Sequence, residues 1–155
     1  MEIRIANTGD IPGILELLRQ VGQVHHDIRP DIFRAGCQKY DTAALEALLQ
    51  DPQRPIFIAE HQGAVAGYCF CILSALDGPV MTQRKELYID DLCVDENVRG
   101  QGIAKALYHH VTDYARGLGC QFVTLNVWCG NDNAMAFYEK AGLTPRSITM
   151  ETKLC

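Results

Sequence analysis

Apolar and polar positions along the 155 residues switch between two periods, and the switches mark the elements. Glu2-Ile3-Arg4-Ile5-Ala6 alternates and predicts a first strand. Ile11, Ile14, Leu15, Leu18 and Val21 then recur at helical spacing. Asp10 is the expected cap, and Pro12 lies in the first turn, where a missing N–H is tolerated. His25-His26-Asp27-Ile28-Arg29-Pro30-Asp31 breaks that spacing. Asp41-Thr42 opens a second helix that runs to Leu49 and ends before Asp51-Pro52. Ile56 to Glu60 and Ala64 to Leu73 flank the turn His61-Gln62-Gly63 and read as a hairpin. A loop at Asp77-Gly78-Pro79 leads into a strand over Leu87 to Val94. Then follow a helix over 102–117 closed by Gly117 or Gly119, and a strand over Phe122 to Val127. A short helix over Asn133 to Lys140 stops at Gly142, and Ser147 to Lys153 reads as a last strand. The order β-α-α-β-β-β-α-β-α-β predicts an α/β (α+β) chain. No repeat, low-complexity run or linker divides residues 1–155, so a single domain is expected.

Composition narrows the chemistry. The net charge of −5 argues against a broad nucleic-acid surface. No apolar run is long enough for a bilayer, and Met1-Glu2-Ile3-Arg4 is unlike a signal peptide, so a cytoplasmic protein without a membrane partner is expected. Seven cysteines are an odd number for a disulfide scaffold. Cys69-Phe70-Cys71 is C-x-C, unlike the C-x-x-C of redox and zinc sites. Cys69, Cys71, Cys93 and Cys120 sit in strand-like runs where small buried thiols are common, and no metal site is predicted.

Arg99-Gly100-Gln101-Gly102-Ile103-Ala104 stands between a strand and a helix. Backbone N–H groups at a helix N-terminus lack intrahelical partners and can point at phosphate oxygens. Glycine removes the Cβ atoms that would hold a ligand away. A dinucleotide fold would place such a loop after its first strand with a G-x-G-x-x-G spacing, and a Walker A loop would end in Gly-Lys-Ser/Thr. This loop follows the fourth strand and has neither pattern.

A second motif reads Asn131-Asp132-Asn133-Ala134-Met135-Ala136-Phe137-Tyr138-Glu139-Lys140-Ala141-Gly142-Leu143. It resembles the N-x-x-A-x-x-F/L-Y-x-x-x-G-F/L signature of the GNAT superfamily of acetyl-CoA-dependent N-acetyltransferases through Asn131, Ala134, Phe137, Tyr138, Gly142 and Leu143. Arg99, Gly102 and Ala104 match the superfamily's R/Q-x-x-G-x-G/A loop. The resemblance implies a mixed, mostly antiparallel sheet with a splayed strand pair flanked by helices.

It also implies roles. The N–H groups of Gly100, Gln101, Gly102, Ile103, Ala104 and Lys105 would hold the CoA pyrophosphate. The backbone of Leu92, Cys93 and Val94 would pair with the pantetheine arm, and Asn131 would contact the cofactor beyond the splay. Tyr138 would protonate the departing thiolate, which a phenol of pKa near 10 can do. The alternative for Tyr138 is a core aromatic on an amphipathic helix.

Asp90 and Asp91 are the candidate bases. Adjacent strand residues point to opposite faces, so only one reaches the cleft unless a bulge intervenes. Asn126 stands where some relatives carry a glutamate base and cannot serve. Either aspartate could instead bind a cationic substrate without moving a proton. His25, His26 and Arg29 lie in the segment that covers the acceptor site in this superfamily. A histidine there could assist proton removal and Arg29 could hold a substrate carboxylate; the alternative is a solvated helix end.

The resulting expectation is acetyl transfer from acetyl-CoA to a small-molecule amine by direct attack in a ternary complex. Two rivals are acetylation of a protein or peptide amine and a silent acyl-CoA sensor. The resemblance is compatible with a homodimer.

Overall fold

A computed structural model describes residues 1–155. Strands β1 (Glu2–Ile5), β2 (Ile56–His61), β3 (Ala64–Gly78), β4 (Met81–Val94) and β5 (Phe122–Leu125) form one sheet in the order β1-β2-β3-β4-β5. The first four pair antiparallel, and β5 lies parallel to β4. Helices α1 (Ile11–Ile28), α2 (Thr42–Leu49), α3 (Ile103–Gly117) and α4 (Asp132–Lys140) complete the chain. The sheet and flanking helices are those implied by the resemblance.

The central strands are buried on both faces, so their sequences run apolar without alternation. Their side chains still alternate in destination. Phe57 and Ala59 of β2, with Cys69 and Cys71 of β3, join a core against α3 residues Leu107 and Val111. Ile56, Ile58, Tyr68 and Phe70 face the other way, onto Ile14, Leu17 and Leu18 of α1 and Leu45 of α2. All seven cysteines are free thiols, and Cys69, Cys71 and Cys93 are buried.

The elements depart from the periodicity at identifiable places. Helix α1 continues through Ile28, and His25 and His26 occupy its last turn. The expected loop at Asp77-Gly78-Pro79 is the tip of a long hairpin, because Ser74 pairs with Glu86 and Gly78 with Met81. Asp10 does not cap α1 through its side chain. It closes a capping box with Asn7 instead and takes two hydrogen bonds from Arg4, at 2.8 and 2.9 Å. Strand β5 ends at Leu125, short of Val127. The predicted strand over Ser147 to Lys153 does not form. An alternating segment becomes a strand only by pairing with an edge, and residues 147–153 make no main-chain hydrogen bond.

Gly22 permits one approach on which the next section depends. A Cβ there would land on the backbone carbonyl of Cys37, so only glycine lets the segment after α1 fold back over that helix.

Arg4 holds the Asp10 carboxyl below the ordinary carboxylate range, against the opposing effect of burial. A depressed folded-state pKa gives stability that is present above the unfolded value of about 3.9 and is lost as pH falls through the folded value. Asp10→Asn should therefore cost about 2 kcal/mol in urea melts at neutral pH. The gap from the parent chain should narrow steadily in acid; a gap independent of pH would show that the charge is not the cause.

Candidate active site

Strand β4 pairs with β5 only from Glu86 to Ile89, opposite Phe122 to Leu125. Beyond Ile89 it runs on to Val94 along β3 alone. Alternate main-chain amides of an antiparallel strand point away from its partner, so Leu92, Cys93 and Val94 border a gap with main-chain groups free on that side. The gap leads directly to the glycine loop. Arg99 ties this loop to the end of β4 through Nε and the Val94 carbonyl, 3.3 Å away.

Gly100 and Gly102 take φ of 80° and 79°, in the left-handed region that penalises a side chain. Gly102 is the N-cap of α3 and offers no side chain to cap it. The first amide of that turn to find an acceptor is Ala106, on the Gly102 carbonyl at 3.0 Å. The N–H groups of Gly100, Gln101, Gly102, Ile103, Ala104 and Lys105 meet no main-chain acceptor. These are the amides expected to hold a pyrophosphate, and the space beside both glycines is open.

At the mouth of the gap β4 carries a bulge. Phe70 faces Asp91 and Cys71 faces Ile89, which leaves Asp90 as the extra residue. The extra residue lets both aspartates contact the side of the sheet covered by α1 and α2. Asp90 accepts from Lys39 Nζ at 2.7 Å and from the Tyr40 hydroxyl at 3.1 Å. Asp91 accepts from the Tyr68 hydroxyl at 2.7 Å. Burial pushes the Asp91 carboxyl up, while Tyr68, His25 and Lys39 pull it back. Desolvation works against the Lys39 ammonium, but the bond to Asp90 wins and raises its pKa. Asp90 is thus committed to the segment that precedes α2, and Asp91 has a single hydroxyl partner.

The covering segment is held from several points. His26 Nδ1 lies 2.8 Å from the Phe33 carbonyl. The Phe33 ring stands 5.0 Å from that of His25 and meets Trp128 edge-on at 5.3 Å. Tyr40 stacks on Phe70 at 5.4 Å. His25 therefore faces the site, and His26 fastens its cover. Arg29 is not free for a substrate: it binds Asp31 at 2.7 and 2.8 Å and Glu151 at 2.6 Å.

Tyr138 comes from α4, half-buried beside Tyr108 and Phe137. Burial first, then the nearby Cys69 and Asp91, raise its phenol well above the usual value. Asn131 is the N-cap of α4 and accepts from the Ala134 N–H at 3.3 Å, which gives its side chain a structural task. Tyr68, Lys39 and Phe33 also belong to the site, although no motif marks them. Tyr68 had one available signal: a tyrosine within an apolar strand needs a partner for its hydroxyl.

Residues 22–143 match the acetyltransferase (GNAT) family. The chain belongs to that family. Among curated GNAT relatives, glucosamine 6-phosphate N-acetyltransferase of Arabidopsis thaliana is 34% identical over 49% of this chain and 54% of its own length. Peptidyl-lysine N-acetyltransferase YjaB of Salmonella typhimurium is 31% identical over 83% of this chain and 73% of its own. The chain spans about half the length of the first of these and of several others it matches. A tetramutant of the BH1408 protein from Bacillus halodurans superimposes with a TM-score of 0.94 at 30% identity, covering 99% of this chain and 100% of that one.

GNAT membership implies use of acetyl-CoA, and the residues present fit it. Six successive amides without a main-chain acceptor lie at the end of a strand with a free edge. When bound, the cofactor would have its phosphates on Gly100 to Lys105 and its arm along Leu92 to Val94.

A β-carbon forced to positive φ costs about 1–3 kcal/mol. Gly102→Val should weaken acetyl-CoA binding at least tenfold in calorimetry, with an unchanged circular dichroism spectrum. Parent-like affinity would remove the loop from the binding site.

Proposed function

We propose that this chain transfers an acetyl group from acetyl-CoA to the amine of a small molecule, within a ternary complex. The observation that carries this reading is the free edge of β4 beyond Ile89, which leads to six loop amides without a main-chain acceptor. Asp91 of β4 and Tyr138 of α4 are the carboxyl and the phenol that the flanking elements supply.

Acetyl-CoA supplies an already activated thioester, so the chain need only position, accept one proton and donate another. An amine attacks as its neutral form, and Asp91 is suited to take up the proton it loses. A carboxyl raised by burial is a stronger base than an exposed one, and Tyr68 fixes its orientation. Tyr138 keeps its proton at neutral pH and is suited to donate it to a leaving thiolate. Asp90 acts by holding Lys39 and Tyr40, and so the cover that excludes water. His25 and Trp128 supply aromatic walls against Phe33. An acidic group between aromatic walls suits a cationic amine.

The closed cover favours a small acceptor over a polypeptide. Similarity to a peptidyl-lysine N-acetyltransferase over most of this chain supports the second reading, a lysine acceptor. A CoA-release screen over polyamines, aminoglycosides, amino acids and lysine peptides separates them. Release with small amines alone supports the proposal, release with peptides alone supports the second reading, and no release with any acceptor contradicts both.

Two variants test the roles. Asp91→Asn should lower kcat by about 10²-fold or more and abolish the acid limb of the pH–rate profile. In the parent chain that limb should lie above the ordinary carboxylate value, with rate rising as Asp91 deprotonates. A raised folded-state pKa means that ionised Asp91 destabilises the fold above it, so Asp91→Asn should also melt higher at neutral pH. Tyr138→Phe should lower kcat with little change in acetyl-CoA affinity. Parent turnover in either variant would remove that residue from the mechanism.

A further inference from the structure

The cover of the site carries a primary amine of its own. Of the five lysines, Lys39 alone forms an ion pair. It lies between α1 and α2, and its Nζ stands 2.7 Å from Asp90 Oδ2. Asp90 precedes Asp91 in sequence, and the bulge brings both carboxylates to the same side of the sheet. The Lys39 charge acts on Asp91 as well as on Asp90. Asp91 in turn acts on Tyr138. An amine, a carboxylate suited to be the base and a phenol suited to be the acid therefore share one neighbourhood at the mouth of the β4–β5 gap.

Lys39 is also able to move. Its side chain is 47% exposed, and one carboxylate oxygen is the only acceptor that Nζ holds. That oxygen keeps a second donor, the Tyr40 hydroxyl at 3.1 Å, when the amine leaves. The four-carbon stem lets Nζ swing without any shift of the backbone. The other lysines stand elsewhere, and all four are exposed. Lys85 donates to the Leu118 carbonyl at the C-cap of α3. Lys105 is in the first turn of α3, Lys140 in the last turn of α4 and Lys153 in the tail.

Resting on the roles proposed above for Asp91 and Tyr138, we propose that Lys39 is an internal acceptor, acetylated by its own chain when no amine substrate fills the site. Asp91 takes the proton that the ammonium gives up and passes it to water. The neutral Nζ attacks the thioester carbonyl carbon, so a C–N bond forms and the C–S bond breaks. Tyr138 protonates the CoA thiolate, and the proton lost as the amide forms restores the phenol. The products are acetyl-Lys39 and free CoA. The amide is uncharged, so the ion pair to Asp90 is not remade and the tie between cover and β4 is lost.

The same ion pair separates this reaction from chemical acetylation in solution. Desolvation favours the neutral amine, but the bond to Asp90 outweighs it and keeps Nζ protonated. Only a neutral amine attacks, so acetyl-CoA acting without the site should reach Lys39 last among the lysines. Positioning beside the thioester reverses that order.

The full chain, incubated with acetyl-CoA labelled in its acetyl group and without an acceptor, tests this by peptide mass spectrometry. Label should reach Lys39 at least tenfold faster than Lys105, Lys140 or Lys153, at a rate per chain that does not depend on chain concentration. In Asp91→Asn, labelling of Lys39 should fall at least tenfold while that of the other three stays the same. Lys39 labelled no faster than the exposed lysines, labelled equally in Asp91→Asn, or labelled at a rate that rises with chain concentration would each overturn the internal transfer. Should external amines still release CoA from such a chain, the transferase reading stands and only the internal acceptor falls.

Discussion

Strand β4 is longer than the strand it runs beside. It keeps β5 for four residue pairs and then continues with β3 alone. A parallel pair interrupted in this way leaves main-chain groups unpaired in the middle of a sheet, where unpaired groups are costly. The fold tolerates the gap because β4 is secured on its other side by a long antiparallel ladder, and because its two faces are clamped by α1 and α3. The glycine loop, the capless start of α3 and the approach of α4 are all arranged around that opening. The constraint is thus also the resource: a strand edge and a helix N-terminus with free amides lie end to end on a rigid support.

The bulge at Asp90 acts on the same strand one step earlier. Without it, neighbouring carboxylates would point to opposite faces. With it, Asp90 and Asp91 both contact the side roofed by the segment after α1, and their surroundings separate their roles. One is neutralised by Lys39 and fixes the roof. The other is buried with one tyrosine hydroxyl and kept more basic than an exposed aspartate. Glycine at position 22 lets the roof come down far enough to bring Phe33 against Trp128.

Much of this was legible in the residues. The alternation of Glu2 to Ala6, the apolar run of Ile56 to Ala59 and the helical recurrence of Ile11 to Val21 placed elements correctly, because local pattern decides them. The order of the glycine loop and the Asn131 to Leu143 motif pointed to the family and to the sheet's splay. The extra turn of α1 was hidden, because His25 and His26 break an apolar pattern without breaking a helix. Asp10 reads as a cap of α1 from sequence, but its choice between that helix and Arg4 depends on β1 folding beside it. Arg29 reads as a substrate ligand, yet Asp31 two residues on and Glu151, which is near only in three dimensions, already hold it. The segment from Ser147 to Lys153 keeps the pattern of a strand but makes no main-chain hydrogen bond to the sheet. Tyr68 and Lys39 lie far from their partners in sequence, and no periodicity could have joined them.

The account stands or falls on whether the opening of β4 and the amides of the loop take up acetyl-CoA. Amide hydrogen exchange with and without acetyl-CoA reports on those groups directly. Protection should appear at Leu92 and Val94, whose amides point away from β3, and at Gly100 to Lys105, whose amides meet no main-chain acceptor. Exchange unchanged in both segments at saturating acetyl-CoA would contradict the central claim.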